Sequence, residues 1–132
     1  MSDKNKKIVT DFIQAMGNGD IEAIQTLLAH DVEAVTMGSS LISGSRGYDE
    51  LIAGAAMFKQ ITATGIDFEI QHLTAEENRV SAEVKGRSEL VSGAHYNNDY
   101  HFLIFIRDDK IIKIKEYVDT KLVDAVLAPL FN

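Results

Sequence analysis

The spacing of apolar residues changes near residue 66, and this change constrains the fold more than any other feature of the sequence. Before it, apolar residues recur every three or four positions, as Phe12 and Met16 do, which is typical of amphipathic helices. After it they alternate with polar residues, as Phe68, Ile70 and His72 do, which is typical of strands with one buried face. Helices that precede a group of strands predict an α+β fold, with the helices on one face of an antiparallel sheet.

Cap and turn signals place the individual elements. The first two helices are separated by Gly17-Asn18-Gly19, and Asp20 is the expected N-cap of the second. A third helix is predicted over residues 48–60, and Asp119 or Thr120 caps a last helix that Pro129 terminates. Strands are predicted over residues 32–37, from 66 to a turn at 76–79, and over 80–90, 96–106 and 111–118. The short links between the last four predict an antiparallel meander.

Two glycine signals lie between these elements. Residues 38–47 are mostly Gly and Ser, and we expect them to form a mobile surface loop rather than a phosphate cradle, because their spacing is not that of a P-loop. Gly54 lies inside the third predicted helix, where glycine costs about 1 kcal/mol in helix propensity. It therefore suggests close packing at that point.

Composition limits the class of protein. A chain of 132 residues has the length of one domain, so residues 1–132 are expected to form a single unit. The formal charge of −7 argues against nucleic acid as a partner, because phosphates would be repelled. There is no cysteine, no apolar stretch long enough to span a membrane and no apolar segment typical of a secretory signal. A cytoplasmic location without membrane contact is the expectation.

Three segments resemble the NTF2-like, SnoaL-like superfamily, which includes ketosteroid isomerases and limonene-epoxide hydrolases. They are residues 12–20 with 27–31, residues 96–102 (Tyr-Asn-Asn-Asp-Tyr-His-Phe) and residues 114–120 (Ile-Lys-Glu-Tyr-Val-Asp-Thr). The resemblance implies a cystatin-like, cone-shaped α+β barrel with a pocket between the sheet and the helices. It also implies a homodimer through the outer sheet face, no metal or organic cofactor, and one or two pocket carboxylates that move protons.

The chain departs from both enzyme groups at their catalytic positions. Phe12 stands where ketosteroid isomerases carry an oxyanion-binding tyrosine, and Thr36 stands near their catalytic base. Val84 and Gly86 match approximately the arginine and aspartate of limonene-epoxide hydrolases, whereas their second catalytic aspartate falls on Glu116. The resemblance therefore disfavours both of these specific activities.

The register of the last hairpin decides which polar side chains share a face, because a shift of one residue reverses every side chain. A two-residue loop at Asp108-Asp109 would place His101 opposite Glu116, and a three-residue loop at 107–109 would place Tyr100 there. The three-residue loop segregates apolar from polar residues more cleanly and is favoured. The face it predicts is apolar and holds Phe102, Ile104, Ile106, Ile112, Ile114 and Val118.

Three polar residues interrupt that apolar face and are the candidate site. We expect Glu116 to act as a general acid or base and Tyr100 to donate a hydrogen bond to a developing oxyanion. Asn98 is expected to bind a ligand carbonyl or hydroxyl. The alternative is that these groups only bond each other or the backbone at the pocket edge.

Further residues are assigned by their place in the pattern. His72 shares the parity of Phe68 and Ile70 and is a second candidate for contact with the substrate, although a histidine satisfied by backbone is the competing interpretation. The expected apolar wall of the substrate pocket consists of Phe12, Met16, Phe58 and Phe102. The four histidines lack metal-ligand spacing, so no metal is predicted.

These residues, together with the resemblance, predict an enzyme that performs proton-transfer chemistry, such as isomerisation, cyclisation, dehydration or hydration, and the resemblance implies that it needs no cofactor. Its substrate would be a compact and largely apolar small molecule. The alternative is a non-catalytic domain of the same fold that binds a ligand or mediates association.

Overall fold

The computed structural model describes residues 2–131 as four helices and six strands. The helices are α1 (Ser2–Asn18), α2 (Ile21–Leu27), α3 (Tyr48–Ile61) and α4 (Thr120–Phe131). The strands are β1 (Leu28–Thr36), β2 (Gly44–Arg46), β3 (Asp67–Glu76), β4 (Arg79–Arg87), β5 (Asn98–Arg107) and β6 (Lys110–Val118). None of the helices within residues 2–131 is both long and apolar enough to cross a lipid bilayer.

The helix caps follow the sequence signals, with one exception at the C-terminal end. Asp20 accepts a hydrogen bond from the backbone N of Ala23 at 3.1 Å, and Asp119 accepts one from the backbone N of Leu122 at 3.2 Å. Pro129 was expected to terminate the last helix, but α4 continues to Phe131. The first residue of β1 follows α2 directly, so this strand begins four residues before the predicted position.

The sheet is six-stranded, curved and open, and its strand order is β2-β1-β6-β5-β4-β3. The predicted α+β class is confirmed, and β3 to β6 form the predicted antiparallel meander. The expectation of a purely antiparallel sheet is wrong at one place, because β1 pairs with β6 in parallel. The two strands are separated in the chain by α3 and four other strands, so no tight turn fixes their relative direction.

The hairpin between β5 and β6 has a register that neither sequence alternative contains. Its turn is the two-residue Asp108-Asp109, and both residues have positive φ angles, 51° and 62°, as a tight hairpin turn requires. A β-bulge then falls at Ile112, so Glu116 pairs with Phe102, and Tyr100 pairs with Val118. The bulge restores the predicted facing of Glu116. It replaces Ile112 by Ile111 on the buried face.

The main core lies between the inner sheet face and α1. Val9, Ile13, Val80, Ile104 and Ile111 are completely buried there. A second, smaller cluster lies under α4 and consists of Leu90, Tyr96, Val123 and Leu127. Within Tyr48–Ile61, by contrast, no residue is fully buried. Helix α3 therefore covers a space that is not filled by side chains.

Candidate functional site

A cavity of about 190 Å³ lies between the inner face of the sheet and helices α1 and α3. Most of its lining is apolar, and six of the side chains that form its walls are Phe12, Met16, Leu51, Phe58, Phe68 and Phe102. The polar side chains that face it are Thr36, Arg46, Glu50, Tyr96, Tyr100 and Glu116. A mostly apolar cavity with a few polar groups is typical of a small-molecule site.

The structure brings six of the eight sequence-predicted site residues to this cavity. Glu116 and Tyr100 come from neighbouring strands of one sheet face, and the other four contribute to the apolar wall. These four are Phe12, Met16, Phe58 and Phe102. The placement makes contact with a common ligand possible, and the roles of the six residues in catalysis or binding stay predictions.

Glu116 is the one carboxylate that faces the cavity from the sheet. Its Oε1 accepts a hydrogen bond of 2.9 Å from the hydroxyl of Thr36, which lies directly opposite on β1. Burial of the carboxylate among protein atoms raises its pKa, while the Thr36 hydrogen bond and the charge of Arg46 act in the opposite direction. The residue as a whole is half-buried, and it contributes to the lining of the cavity.

Arg46 belongs to the same polar group. It lies on the short edge strand β2, opposite Ala34 of β1, and its Nη1 donates to the Thr36 hydroxyl at 3.4 Å. The Thr36 hydroxyl thus stands between a guanidinium and a carboxylate. This arrangement keeps the two opposite charges close without a direct ion pair.

Two tyrosines form another part of the polar lining. Tyr96 and Tyr100 are 2% and 7% exposed, and burial is the main cause that raises the pKa of each phenol. The Tyr100 pKa rises further because a negative charge on Tyr96 or on Glu116 would disfavour a phenolate beside it. Both tyrosines are therefore protonated hydrogen-bond donors across the physiological pH range. The Tyr100 ring is also stacked on Phe102, with ring centroids 5.5 Å apart.

Asn98 lies outside the cavity lining, in contrast to the sequence prediction. Its side chain is buried and donates to the Tyr96 hydroxyl at 3.2 Å and to the backbone O of Asp119 at 3.3 Å. Its Oδ1 accepts from the backbone N of Asp99 and of Asp119. Every polar atom of the amide is thus used to join β5 to the start of α4, and Asn98 supports the site through Tyr96.

His72 also lies away from the cavity. A register shift between Ile70 and His72 in the β3 and β4 pairing reverses the facing of the following residues, so Leu73 instead of His72 packs against the core. His72 is exposed and lies opposite Glu83. The alternation that placed it beside Phe68 and Ile70 ends at this irregularity.

Gly54 has a different role from the close packing that its place in a helix suggested. It lines the cavity, and a Cβ added to it would meet no atom of the described residues within 4 Å. The glycine therefore keeps space open under α3. Gly86 shows the packing that was expected at Gly54, because a Cβ there would approach the Tyr100 ring to 2.7 Å.

The sequence prediction missed Arg46 and Tyr96 as site residues, and it discounted Thr36. Arg46 lies in the Gly and Ser-rich segment that was expected to be a loop, but residues 44–46 pair with β1 as an edge strand. The local sequence Gly44-Ser45-Arg46 does not signal this strand, because its strand conformation rests on the pairing with β1. Tyr96 precedes β5, and its backbone N donates to Ser88 O, a contact between segments that the alternation of apolar residues does not show.

The SnoaL-like domain family matches residues 9–114, and the chain therefore belongs to this family. The resemblance stated from the sequence is confirmed. A search of curated proteins found no match.

Solved structures extend the likeness over almost the whole chain. An NTF2-like protein from Burkholderia xenovorans is 25% identical with a TM-score of 0.76, over 95% of this chain and 96% of that chain. A putative SnoaL-like polyketide cyclase from Jannaschia sp. is 12% identical with a TM-score of 0.79, over 96% and 93% of the two chains. An LEH-like epoxide hydrolase from M. tuberculosis is 15% identical with a TM-score of 0.76, over 98% and 94%. The last two show a shared fold, which is used by small-molecule enzymes.

Proposed function

We propose that this protein is a cofactor-independent enzyme that transfers a proton on a compact, largely apolar substrate, with Glu116 as the proton carrier. The observation that supports this most directly is the single carboxylate of the inner sheet face, set in an apolar cavity and bonded only to a hydroxyl. Structural relatives described as a polyketide cyclase and an epoxide hydrolase support the class of chemistry.

The environment of Glu116 suits a group that both accepts and donates a proton. Burial raises its pKa toward neutrality, so its two protonation states are closer in free energy than those of an exposed glutamate. Only one of its oxygens is held by Thr36, and the other is available to a substrate. In the proposed reaction, Glu116 removes a proton from one position of the substrate and returns it at another.

Tyr100 would donate a hydrogen bond to the substrate oxygen on which negative charge develops. A phenol with a raised pKa stays protonated and donates a hydrogen bond without giving up its proton. Such a donor, fixed by ring stacking on Phe102, stabilises a developing oxyanion more than the neutral ground state. Asn98 holds the neighbouring Tyr96 hydroxyl in place.

The cavity limits the size of the substrate. An apolar cavity of about 150 Å³ is large enough for benzene, so about 190 Å³ suits a molecule with one ring and a few substituents. This size argues against extended polycyclic substrates.

The rival function is ligand binding without catalysis. It is favoured by Phe12 and Thr36, which stand where the related isomerases have their oxyanion-binding tyrosine and their base. The same cavity would then hold a ligand, and Glu116 would only bond it.

A two-step experiment separates the two functions. Native mass spectrometry of the purified protein first identifies ligands that co-purify, and the compounds found then define a set of cyclic ketones, epoxides and acids for turnover. Exchange of carbon-bound protons is followed by NMR in D₂O for the wild type and Glu116→Gln. Exchange that Glu116→Gln abolishes supports the enzyme, whereas tight binding without exchange in either protein contradicts it.

We further propose that the outer sheet face mediates a homodimer. Leu103 and Phe105 of β5 are half-buried on this face, and Tyr117 of β6 is 43% exposed beside His101. Light scattering at micromolar concentration tests this proposal, and a monomeric mass would contradict it.

A further inference from the structure

Arg46 introduces a positive charge into a cavity that is otherwise apolar or acidic. It is the one lysine or arginine among the described residues that line this cavity, which it shares with Glu50 and Glu116. Within residues 2–131 its side chain has no ion pair within 4 Å, and its only hydrogen bond is the long one to Thr36. A guanidinium carries five N–H donors, so most of them are left for another acceptor.

The other arginines provide a contrast. Arg107 forms an ion pair with Asp31 at 2.9 Å, and Arg79 forms ion pairs with Glu76 and Glu77 on the surface. Arg46 lines the same cavity as Glu50 and Glu116, yet it forms an ion pair within 4 Å with neither of them. Glu50 instead accepts a bond from the backbone N of Gly47 at 3.0 Å, and Glu116 accepts one from Thr36.

We propose that Arg46 binds an anionic oxygen group of the substrate, so that the substrate class is a compact apolar carboxylic acid. This inference rests on the proposed function of the cavity as a substrate site. A planar guanidinium matches a carboxylate with two parallel hydrogen bonds, and a partly dry cavity strengthens them.

The sheet register places this anion site beside the proton carrier. Arg46 shares a cross-strand row with Ala34 and Ile114, and Thr36 and Glu116 form the next row on the same face. The Thr36 hydroxyl lies 3.4 Å from Arg46 Nη1 and 2.9 Å from Glu116 Oε1, so one small substrate could contact both Arg46 and Glu116. The reacting carbon would be separated from the carboxylate by a few bonds.

The two neighbouring carboxylates do not prevent anion binding. One oxygen of Glu50 is already satisfied by the Gly47 N–H, and burial favours the neutral form of Glu116. The two tyrosine hydroxyls are uncharged donors. The anion would thus meet the Arg46 cation, two phenol donors and an apolar wall, beside a Glu50 carboxylate bonded to Gly47 and a Glu116 whose charged form burial disfavours.

The test compares two probes that have the same shape and differ in charge. Cyclohexanecarboxylate and cyclohexanecarboxamide both suit the cavity volume, and their affinities are measured by calorimetry or NMR titration. We expect the wild type to bind the carboxylate at least tenfold more tightly than the amide. Arg46→Gln should lose this preference while its amide affinity stays within about twofold, since the amide needs no cation.

Two further variants control the experiment. Arg79→Gln removes an arginine on the surface and should keep the full preference of the wild type. Arg46→Lys keeps the charge without the planar fork and should keep part of it. Circular dichroism of each variant verifies that it is folded.

The outcomes separate this inference from the proposed function. Equal binding of both probes by the wild type, or a preference that survives in Arg46→Gln, would overturn the role of Arg46 and leave the cavity as a substrate site. If neither probe binds the wild type, a compact acid of this size is not the ligand and the inference is wrong, whereas the exchange experiment with Glu116→Gln still decides the proposed function.

Discussion

The two faces of β5 and β6 carry charged groups in opposite circumstances. On the outer face, Asp99 pairs with Lys85 of β4 at 3.3 Å, and both side chains are more than half exposed. On the inner face, Glu116 of β6 pairs with Phe102, three residues after Asp99 on β5, and it faces an apolar cavity and bonds Thr36. Water solvates the first carboxylate, whereas protein atoms surround the second.

The comparison teaches that the face of the sheet on which a carboxylate lies decides what it can do. An exposed ion pair of this kind contributes about 0 to 1 kcal/mol and is weakened by salt. A carboxylate that burial keeps from water has its pKa raised and is suited to proton transfer. The following predictions test this difference, from the largest expected effect to the smallest.

Neutralising the two carboxylates should have unequal effects on turnover. Glu116→Gln should reduce turnover of an identified substrate by about 10²- to 10⁴-fold, because a positioned acid or base contributes that much. Asp99→Asn, on the outer face, should change it by less than about twofold. Steady-state kinetics of both variants measure the contrast, and similar losses in the two would contradict it.

Truncating neighbouring apolar residues should show the same asymmetry in stability. Ile104→Ala should lower the free energy of unfolding by about 2 to 5 kcal/mol, because this side chain is completely buried. Leu103→Ala, on the half-buried outer face, should cost less than half as much. Urea denaturation of both variants at low protein concentration measures this difference, and equal losses would mean that the outer face is packed as tightly as the inner one.

The stability of the wild type should depend on pH because Glu116 is buried. Its pKa is higher in the folded than in the unfolded chain, so ionisation destabilises the fold as the pH rises through the folded value. Glu116→Gln should therefore raise the melting temperature at pH 8 and change it little at pH 4. Asp99→Asn on the outer face is the control, and a rise equal to that of Glu116→Gln would contradict the comparison.

The acidic limb of the pH profile should move when the Thr36 hydroxyl is removed. The Thr36 hydrogen bond lowers the pKa of Glu116. Thr36→Val should therefore raise that pKa and shift the acidic limb of the kcat/KM profile to higher pH, because Glu116 must be ionised to act as a base. Thr36→Ser keeps a hydroxyl and should leave the limb in place. A shift to lower pH in Thr36→Val would show that another group controls the limb.

The smallest effect is expected at Gly54 on the opposite wall of the cavity. Gly54→Ala should raise the free energy of unfolding by about 0.5 to 1 kcal/mol, because alanine favours the helix and its methyl group meets open space. Gly86→Ala is the matched control and should destabilise, since its methyl group would collide with Tyr100. Thermal unfolding of the two variants measures the changes in stability. Destabilisation by Gly54→Ala would mean that the cavity wall at α3 is closely packed.

The sequence was sufficient for the class of fold and for the facing of Glu116, because both depend on the period of apolar residues. The change of period near residue 66 separates helices from the meander, and the inner face of β5 and β6 is apolar except at a few residues. The parallel pairing of β1 with β6 could not be derived, since it joins distant segments without a turn that fixes their direction.

Two β-bulges explain why the site was predicted in part. The bulge near Gln71 reverses parity and turns His72 away from the cavity, where simple alternation had placed it. The bulge at Ile112 compensates for the two-residue turn, so Glu116 faces inward although the predicted loop length was wrong. Bulges depend on the fit between strands, and a single strand sequence does not reveal them.

The bulge at Ile112 also has a consequence for changes in chain length. Its neighbours Ile111 and Lys113 pair with Ile106 and Phe105, which are consecutive residues of the partner strand. Deleting Ile112 would therefore leave a regular ladder in which Glu116 still faces the cavity. A one-residue insertion or deletion elsewhere in β6 that no bulge compensates would turn the Glu116 side chain to the outer face. Ile112 is thus a position at which this strand can lose a residue and keep its site.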